Sequence, residues 1–358
     1  MSGGVDSSVS AALLKEQGYE VTGVSLQLYD PIPKEPGCRV KTCCSLDDVM
    51  DAARVARKLG IPFEVLDMRA EFKRLVIDYF IAEYAAGRTP NPCTRCNELI
   101  KFDLLLDKAK ELGADLLATG HYARTASDGS GGKLLMTGLD PAKDQSYFLF
   151  ALTREQLERV LFPVGMLEKT AVRKLAAEFG LPVAQKHESQ EICFIPDNDY
   201  VSFLEGHGVG QKPGDIVTND GTVVGRHSGV HRYTVGQRKG LGIAWKHPLH
   251  VRAIDTDMNR VVVGGREELE ALSLTAARAT WNAAPRVDEF RATCRIRYRH
   301  KPAPCTVTVL PGNRFEARFD EPQTSVTPGQ AAVIYDGERV LGGGWIEWCG
   351  CGFYARAA

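Results

Sequence analysis

Met1-Ser2-Gly3-Gly4-Val5-Asp6-Ser7-Ser8 opens the chain, and its reading decides the fold class. Two adjacent glycines let a backbone turn tightly and come close to a ligand. Asp6 reads as the N-cap of a helix that carries Val9, Ala12 and Leu13 at helical spacing and stops at Gly18. A glycine turn that feeds a helix N-terminus gathers exposed N–H groups and the positive end of a helix dipole, which makes an anion site. The hydroxyls of Ser2, Ser7 and Ser8 are expected to add donors. No Gly-Lys-Ser/Thr follows, so this is not a Walker A loop. A phosphate-binding turn of this kind is expected to follow a buried parallel strand, so the reading includes a strand upstream of these residues. The competing reading is a glycine turn that caps a helix and binds nothing.

Composition bounds the rest. A chain of 358 residues exceeds one compact core, so two or three domains are expected. Hydrophobic residues at 44% and charged residues at 25% fit a soluble globular protein. No apolar run reaches the roughly 18 residues of a membrane span, and no export signal opens the chain, so a cytoplasmic location is expected. Ten cysteines in that setting point to thiols, metal ligands or redox chemistry. A net charge of −1 carries no global nucleic-acid signal, so any polyanion site is a local patch.

Strand and helix patterns alternate through the first half. Residues 20–28 and 62–68 read as strands, Ser45-x-x-Asp48 starts a helix that stops at Gly60, and 71–86 reads as an amphipathic helix, which argues for a parallel sheet covered on both faces. The proline-rich loop between the first strand and the second helix carries Cys38, Cys43 and Cys44, whose spacing matches no zinc site well. Thr89 to Phe102 (TPNPCTRCNELIKF) is an extended loop in which Thr94 is expected to cap a helix running to Leu112. That places Cys96 in a first helical turn beside Arg95 and Lys101, a setting that favours thiolate. Cys93-x-x-Cys96 equally fits a redox pair, half a metal site or two structural thiols. Gly120-His121-Tyr122 follows a short buried strand at 115–119 and falls at the ligand-binding edge of a parallel sheet. Lys143-Asp144-Gln145-Ser146 precedes an expected aromatic strand at 147–150, and Thr153-x-x-Gln156 reads as a capping box. Cys193 lies between apolar residues in SQEICFIP, which by itself suits an inert buried thiol.

From about Gly206 the helical periodicity ends and short strands with glycine turns follow. Thr293–Arg299 (TCRIRYR) alternates, so Arg295, Arg297 and Arg299 are expected on one strand face, with Tyr298 beside them; phosphate binding and a plain solvated strand both fit.

Two resemblances extend this reading. SGGVDSS resembles the PP-loop of ATP pyrophosphatases, which cradle the pyrophosphate end of ATP and transfer AMP to a substrate oxygen. SGGVDSS, NPCTRCNELIKF, ATGHY, KDQSYFL, SQEICFIP, YTVGQRKGLG, RYRHKP and VTPGQAAVIY follow in this order, and together they resemble the bacterial tRNA-specific 2-thiouridylase family over essentially the whole chain. The resemblance implies a doubly wound α/β PP-loop domain over 1–205 with a helical extension, a central β domain over 206–265 and a C-terminal β-barrel over 266–350 that binds tRNA. It implies an ATP-dependent sulfurtransferase that converts wobble uridine to 2-thiouridine. Ser2, Gly3, Gly4, Val5, Asp6, Ser7 and Ser8 would bind the ATP phosphates, with Leu26 and Gly120 nearer the nucleoside; Leu26 stands where the family often has methionine. Cys96 would be the nucleophile and Cys193 the persulfide carrier, finishing as a disulfide. Asn91, Pro92 and Cys93 would line the target base, and Cys93 occupies a position that is acidic in some members. His121, Lys143, Asp144, Gln145, Arg297, Tyr298 and Gln330 would contact tRNA. The implied substrates and partners are ATP with Mg2+, a tRNA anticodon loop and a persulfide donor protein. An iron–sulfur cluster on Cys93, Cys96 and Cys193 stays open. So do two rivals, another AMP-forming PP-loop enzyme or ligase and a cysteine-cluster redox protein that binds nucleic acid without turnover.

Overall fold

A computed structural model describes residues 1–30, 46–187, 192–195, 198–283, 285 and 287–349. Cys38, Cys43 and Cys44 lie outside the described residues, as do Ser189, Gln190, Glu191 and Pro196 of the second cysteine motif. The chain forms two compact units. The first comprises Met1–Ile77, Cys93–Asp199 and Glu338–Val340; the second comprises Asp78–Pro92, Tyr200–Gly337 and the described part of Leu341–Ala358.

In the first unit, helix α1 (Val5–Glu16) follows the glycine turn and strand β1 (Gly23–Gln27) comes next. Helix α2 (Leu46–Leu59) leads into β2 (Phe63–Asp67), which pairs parallel with β1 from Gly23↔Phe63 to Gln27↔Asp67. Helix α3 (Arg69–Phe72) passes into a π-helical segment at Lys73–Ile77, and α4 (Asp78–Ala85) belongs to the second unit. The next helical stretch is α5 (Pro92–Cys96), a π-helical segment at Asn97–Leu104 and α6 (Leu105–Glu111). Strand β3 (Leu117–Ala118) pairs parallel with β6 (Val160–Leu161). Between them lie the β4 (Ala123–Ser127) and β5 (Lys133–Thr137) hairpin and helix α7 (Arg154–Glu158). The capping box on α7 forms as the sequence predicts, with the Thr153 side chain accepting from the Gln156 N–H. Helix α8 (Lys169–Glu178) packs Val172 and Ala176 with Val5 and Val9 of α1 in one buried cluster. That cluster fixes the direction in which α1 leaves its turn.

Three local readings change. Residues Ser146–Leu149 form a 3-10 helix, not a strand. Tyr147, Leu149 and Phe150 are buried, and a short apolar run of this kind fits either geometry, so periodicity cannot separate them. Asp6 is not the cap: Gly4 holds that position without a side-chain bond, and Asp6 sits inside the first turn of α1. Thr94 caps nothing, because the helix already starts at Pro92, whose fixed φ and missing N–H suit a first helical position.

The second unit is mainly β. Helix α9 (Tyr200–Gly206) precedes β7 (Gly214–Val217), β8 (Val223–His227), β9 (His250–Asp255) and β10 (Arg260–Gly264), which form one sheet in the order β8-β7-β10-β9. Strands β11 (Glu270–Trp281), β12 (Glu289–Arg295), β13 (Ala303–Leu310), β14 (Arg314–Thr324), β15 (Ala331–Asp336) and β16 (Arg339–Cys349) then make a six-stranded barrel. Its order is β11-β14-β13-β12-β15-β16, closed by β11 pairing antiparallel with β16 from Leu274↔Cys349 to Trp281↔Gly342. Leu274, Cys294, Cys305, Val307, Phe315, Ala332, Ile334 and Ile346 are among the residues that fill it. Closure removes the free strand edges that would invite aggregation. Among the described residues no helix is long and apolar enough to cross a membrane.

Candidate active site

The glycine turn is built by close approach. Gly3 has a φ of +68°, and a Cβ there would lie 2.3 Å from the Asp48 carbonyl oxygen, so only glycine fits. From the opposite side Gly120, just past β3, presses on the turn: a Cβ on it would lie 2.6 Å from the Ser7 nitrogen. The carboxyl end of a parallel strand thus abuts the first turn of α1, the arrangement in which α/β folds bind anions. Lys186 steadies the wall behind Gly3, with its ammonium 2.6 Å from carboxylate oxygens of both Asp48 and Asp51.

The three serines divide. Ser8 is fully buried and its hydroxyl donates to the Gly4 carbonyl at 2.8 Å, so it closes the helix turn and corrects the expectation that it would offer a donor. Ser2 and Ser7 stay at the accessible rim, their hydroxyls 3.3 Å apart, although the Ser7 hydroxyl also donates to the Gly4 carbonyl at 3.2 Å. Val5 is buried in the core, Gly4 borders the rim, and Leu26 lies half-buried in β1.

Asp6 is the centre of a polar cluster that the local sequence does not announce. Lys169, the first residue of α8, places its ammonium 2.6 and 2.8 Å from the two Asp6 carboxylate oxygens. Tyr122 donates its hydroxyl to Asp6 at 2.8 Å, and the Lys169 ammonium stands 5.6 Å from the Tyr122 ring centroid. Tyr122 is tied in turn to Gln145: its N–H donates to Gln145 Oε1 at 2.9 Å, and its carbonyl accepts the Gln145 N–H at 2.8 Å.

Two neighbours expected on tRNA are turned inward. Asp144 is buried and its carboxylate accepts the N–H groups of Gly138 and Ser146 and the Ser146 hydroxyl, all at 3.0 Å. His121 is 9% exposed, shares a 2.8 Å hydrogen bond with Thr119, and packs against Phe102 and Phe162. Burial, and after it the charge of Lys101, holds its imidazole well below the ordinary value, so it is neutral at neutral pH. Lys143 is half-buried beside them.

The cysteines differ in setting. Cys93 is exposed, Cys96 is buried and Cys193 is intermediate, and none of the three is held in a disulfide. Burial pushes the Cys96 thiol above its ordinary value, and Lys101 offsets only part of this. The expectation of a stabilised thiolate is therefore corrected. Cys96 is the last residue of α5, past the first turn that starts at Pro92, and Arg95 pairs with Glu98 at 2.9 Å. Around Cys193, Phe194 and Ile195 are buried, Phe194 packs edge-on against Phe72, and the Cys193 carbonyl accepts the Tyr29 hydroxyl. Among the described residues no three His, Cys, Asp or Glu side chains gather as a metal-holding group. Cys93, Cys96 and Cys193 are all described and do not fit an iron–sulfur cluster in this arrangement.

In the second unit, residues 89–91 are strapped to the barrel turn before β15. Gln330 donates its amide to the Thr89 carbonyl at 2.9 Å and the Pro90 carbonyl at 3.3 Å, and the Thr89 N–H donates to the Pro328 carbonyl at 3.0 Å. Asn91 is buried beside this strap. The arginine face is corrected: β12 ends at Arg295, and residues 296–300 turn. Arg295 stacks over Tyr335 and donates to the His300 carbonyl at 3.0 Å, whereas Arg297 and Arg299 are exposed and Tyr298 is half-buried. Burial first, then the Arg297 charge, pushes the His300 imidazole down to about 4. The turn is basic, but its arginines do not share one strand face.

Comparison with known proteins shows the family. The family described as "tRNA methyl transferase HUP domain" matches residues 1–197, "tRNA methyl transferase PRC-barrel domain" matches 201–265, and "Aminomethyltransferase beta-barrel domain" matches 272–346. The tRNA-specific 2-thiouridylase MnmA of Geobacter metallireducens is 61% identical over 97% of this chain and 95% of its own length. The proteins of the same name from Geotalea uraniireducens and Trichlorobacter lovleyi are 58% and 51% identical, each over 97% of this chain, and over 93% and 96% of their own lengths. The chain belongs to the tRNA-specific 2-thiouridylase family.

Proposed function

We propose that this chain uses ATP to replace the C2 oxygen of the wobble uridine of tRNA with sulfur, giving 2-thiouridine, AMP and pyrophosphate. The observation that carries the reading is the pairing, in one compact unit, of a glycine turn without a Walker lysine and two reduced cysteines, Cys96 and Cys193. ATP, entering with Mg2+ as part of the substrate, lies with its phosphates over Ser2–Ser8 and its nucleoside towards Leu26 and Gly120. The C2 carbonyl of uridine is a poor electrophile because its oxygen leaves badly. Attack of that oxygen on the α-phosphorus expels pyrophosphate and turns the oxygen into part of an AMP leaving group.

Sulfur comes from a persulfide donor protein onto Cys193. The terminal persulfide sulfur attacks C2, and AMP leaves with the former carbonyl oxygen. The Cys96 thiol then loses its proton and attacks the Cys193 sulfur, which breaks the bond to the transferred sulfur and frees 2-thiouridine. The sulfane sulfur is reduced, the two thiols are oxidised to a Cys96–Cys193 disulfide, and a dithiol reductant resets them. A protonated resting Cys96 suits this order, because a thiolate waiting there would strip the persulfide early.

Asn91, Pro92 and Cys93 receive the extruded base, and Gln330 holds their loop. Lys143, Arg297 and Tyr298 meet the tRNA backbone, while His121, Asp144 and Gln145 act by shaping the surface that Tyr122 and Gly120 present. The working parts are 1–205, 206–265 and 266–350, and the tRNA substrate places the reaction in the cytoplasm.

Mixing the protein with ATP and unmodified tRNA tests the reading. Pyrophosphate release that needs both is expected. Its absence, with tRNA bound, would instead favour a redox protein without turnover.

A further inference from the structure

We propose that the central β domain carries a second RNA site, in which an unpaired base of the tRNA, other than the target uridine, stacks on Trp245. The inference rests on the reading of the chain as an enzyme of tRNA. It concerns a domain to which the sulfur transfer itself gives no task.

Trp245 borders a cavity of about 640 Å³, within the size range of sites that hold small ligands. Leu249 adds apolar wall, Arg238, His247 and Arg266 add donors, and Glu267 adds an acceptor. The Trp245 side chain is 46% exposed, a flat ring left in water at the mouth of a cavity.

Arg238 and Lys239 ride on a built turn. Gly236 and Gly240 bracket it with φ of +88° and +79°. The Gly236 N–H donates to the Val251 carbonyl at 2.7 Å, and the Val251 N–H donates to the Gln237 carbonyl at 2.9 Å. The Gln237 side chain accepts the Thr234 N–H at 3.0 Å and donates to the Lys239 carbonyl at 3.1 Å. These bonds fix a turn whose charges meet no acid: among the described residues Arg238, Lys239, Lys246 and Arg266 form no ion pair. An exposed indole beside unpaired cations is the pattern by which proteins hold single-stranded nucleic acid, with a base on the ring and the backbone along the charges.

Two observations favour a base of a tRNA strand over a free nucleotide. Arg238, Trp245 and His247 are all exposed, so a lone nucleotide would be poorly enclosed, whereas a base tethered to a strand already held elsewhere enters as an intramolecular step. The turn also packs on the surface already expected to meet tRNA. A Cβ on Gly236 would lie 2.7 Å from the Ser325 hydroxyl, and the preceding residue, Thr324, accepts the Arg297 guanidinium on its carbonyl. Stems hide the faces of their bases, so the base on Trp245 is an unpaired one.

Titration of unmodified tRNA at several salt concentrations tests the proposal on the wild type, Trp245→Ala, Trp245→Phe and Arg238→Ala, all changes at exposed positions. Trp245→Ala should weaken tRNA by about fivefold to a hundredfold without changing the salt slope, and Trp245→Phe should recover most of the loss. Arg238→Ala should flatten the slope by roughly one counterion. Ultraviolet cross-linking should join the Trp245 peptide to a nucleotide outside the stems and distinct from the wobble uridine. Unchanged tRNA affinity in Trp245→Ala, or a cross-link to a stem or to the wobble uridine, would overturn the proposal. So would saturable fluorescence quenching by UMP or AMP that Trp245→Phe abolishes, because the cavity would then serve a free nucleotide. A wild type that binds no tRNA would refute the reading of the enzyme, a result distinct from failure of Trp245.

Discussion

The glycine turn and the cysteine helix both read as helix N-termini with a chemical task, and they turn out differently. At the turn, the property that matters belongs to the backbone. Gly3 needs a positive φ, Gly120 needs no side chain, and α1 points its N–H groups outward whatever surrounds it. At the cysteine helix, the property that matters is the proton affinity of one thiol. That depends on burial, and burial raises it against the pull of Lys101. A backbone trait is settled within a few residues; an electrostatic one is settled by whatever packs on top.

The sharpest way to break this comparison is to remove the thiols. Adenylation needs neither, so Cys193→Ala should release pyrophosphate with tRNA yet form no 2-thiouridine. Cys96→Ala should lose product too, while Cys193 still accepts persulfide label. Full multiple turnover by either variant would refute their pairing, and a Cys93–Cys96 disulfide after one turnover would move the resolving role to Cys93.

Gly120→Val tests the turn. Its Cβ would stand 2.6 Å from the Ser7 nitrogen. Overpacking of this kind costs about 1–3 kcal/mol and should push the turn out of shape. ATP affinity is expected to fall by about a hundredfold with a lowered melting temperature, and unchanged ATP binding would show that the turn does not touch the nucleotide.

The Cys96 environment can be read by alkylation. Thiolate is the reactive form, and a raised pKa keeps Cys96 protonated at neutral pH. Its reaction with iodoacetamide should lag the exposed Cys93 by about tenfold or more at pH 7 and keep accelerating beyond the ordinary thiol range. A rate that levels off below pH 8 would restore the stabilised thiolate.

Smallest in expected effect is Arg297→Ala. The side chain is exposed and already donates to the Thr324 carbonyl. Weaker tRNA binding by a few-fold and a salt slope flattened by roughly one counterion are expected, and an unchanged slope would remove Arg297 from the interface.

The order of elements was legible because it is written in short periods. The strand expected within 20–28, observed at Gly23–Gln27, the Thr153 capping box and the change of texture near Gly206 all appear within the stretches the patterns marked. The glycine turn was legible for the same reason. Tyr147–Phe150 was not, because a short apolar run with Tyr147, Leu149 and Phe150 all buried does not distinguish a strand from a tight helix. Lys169 left no mark in the sequence beyond opening a helix against its dipole. Its partner Asp6 is distant along the chain, and only the packing of α8 on α1 brings them together. Ser8, Asp144 and His121 were read as outward-facing from their motifs, but each is folded into a local bonding pattern that a motif cannot display.

Nucleoside analysis of tRNA after incubation with the protein, ATP and a sulfide donor tests the central claim most directly. The account predicts 2-thiouridine at the wobble position, formed only when ATP is present, with AMP appearing in equal amount. Digests that contain uridine alone there, from a protein shown to bind both ATP and tRNA, would contradict it.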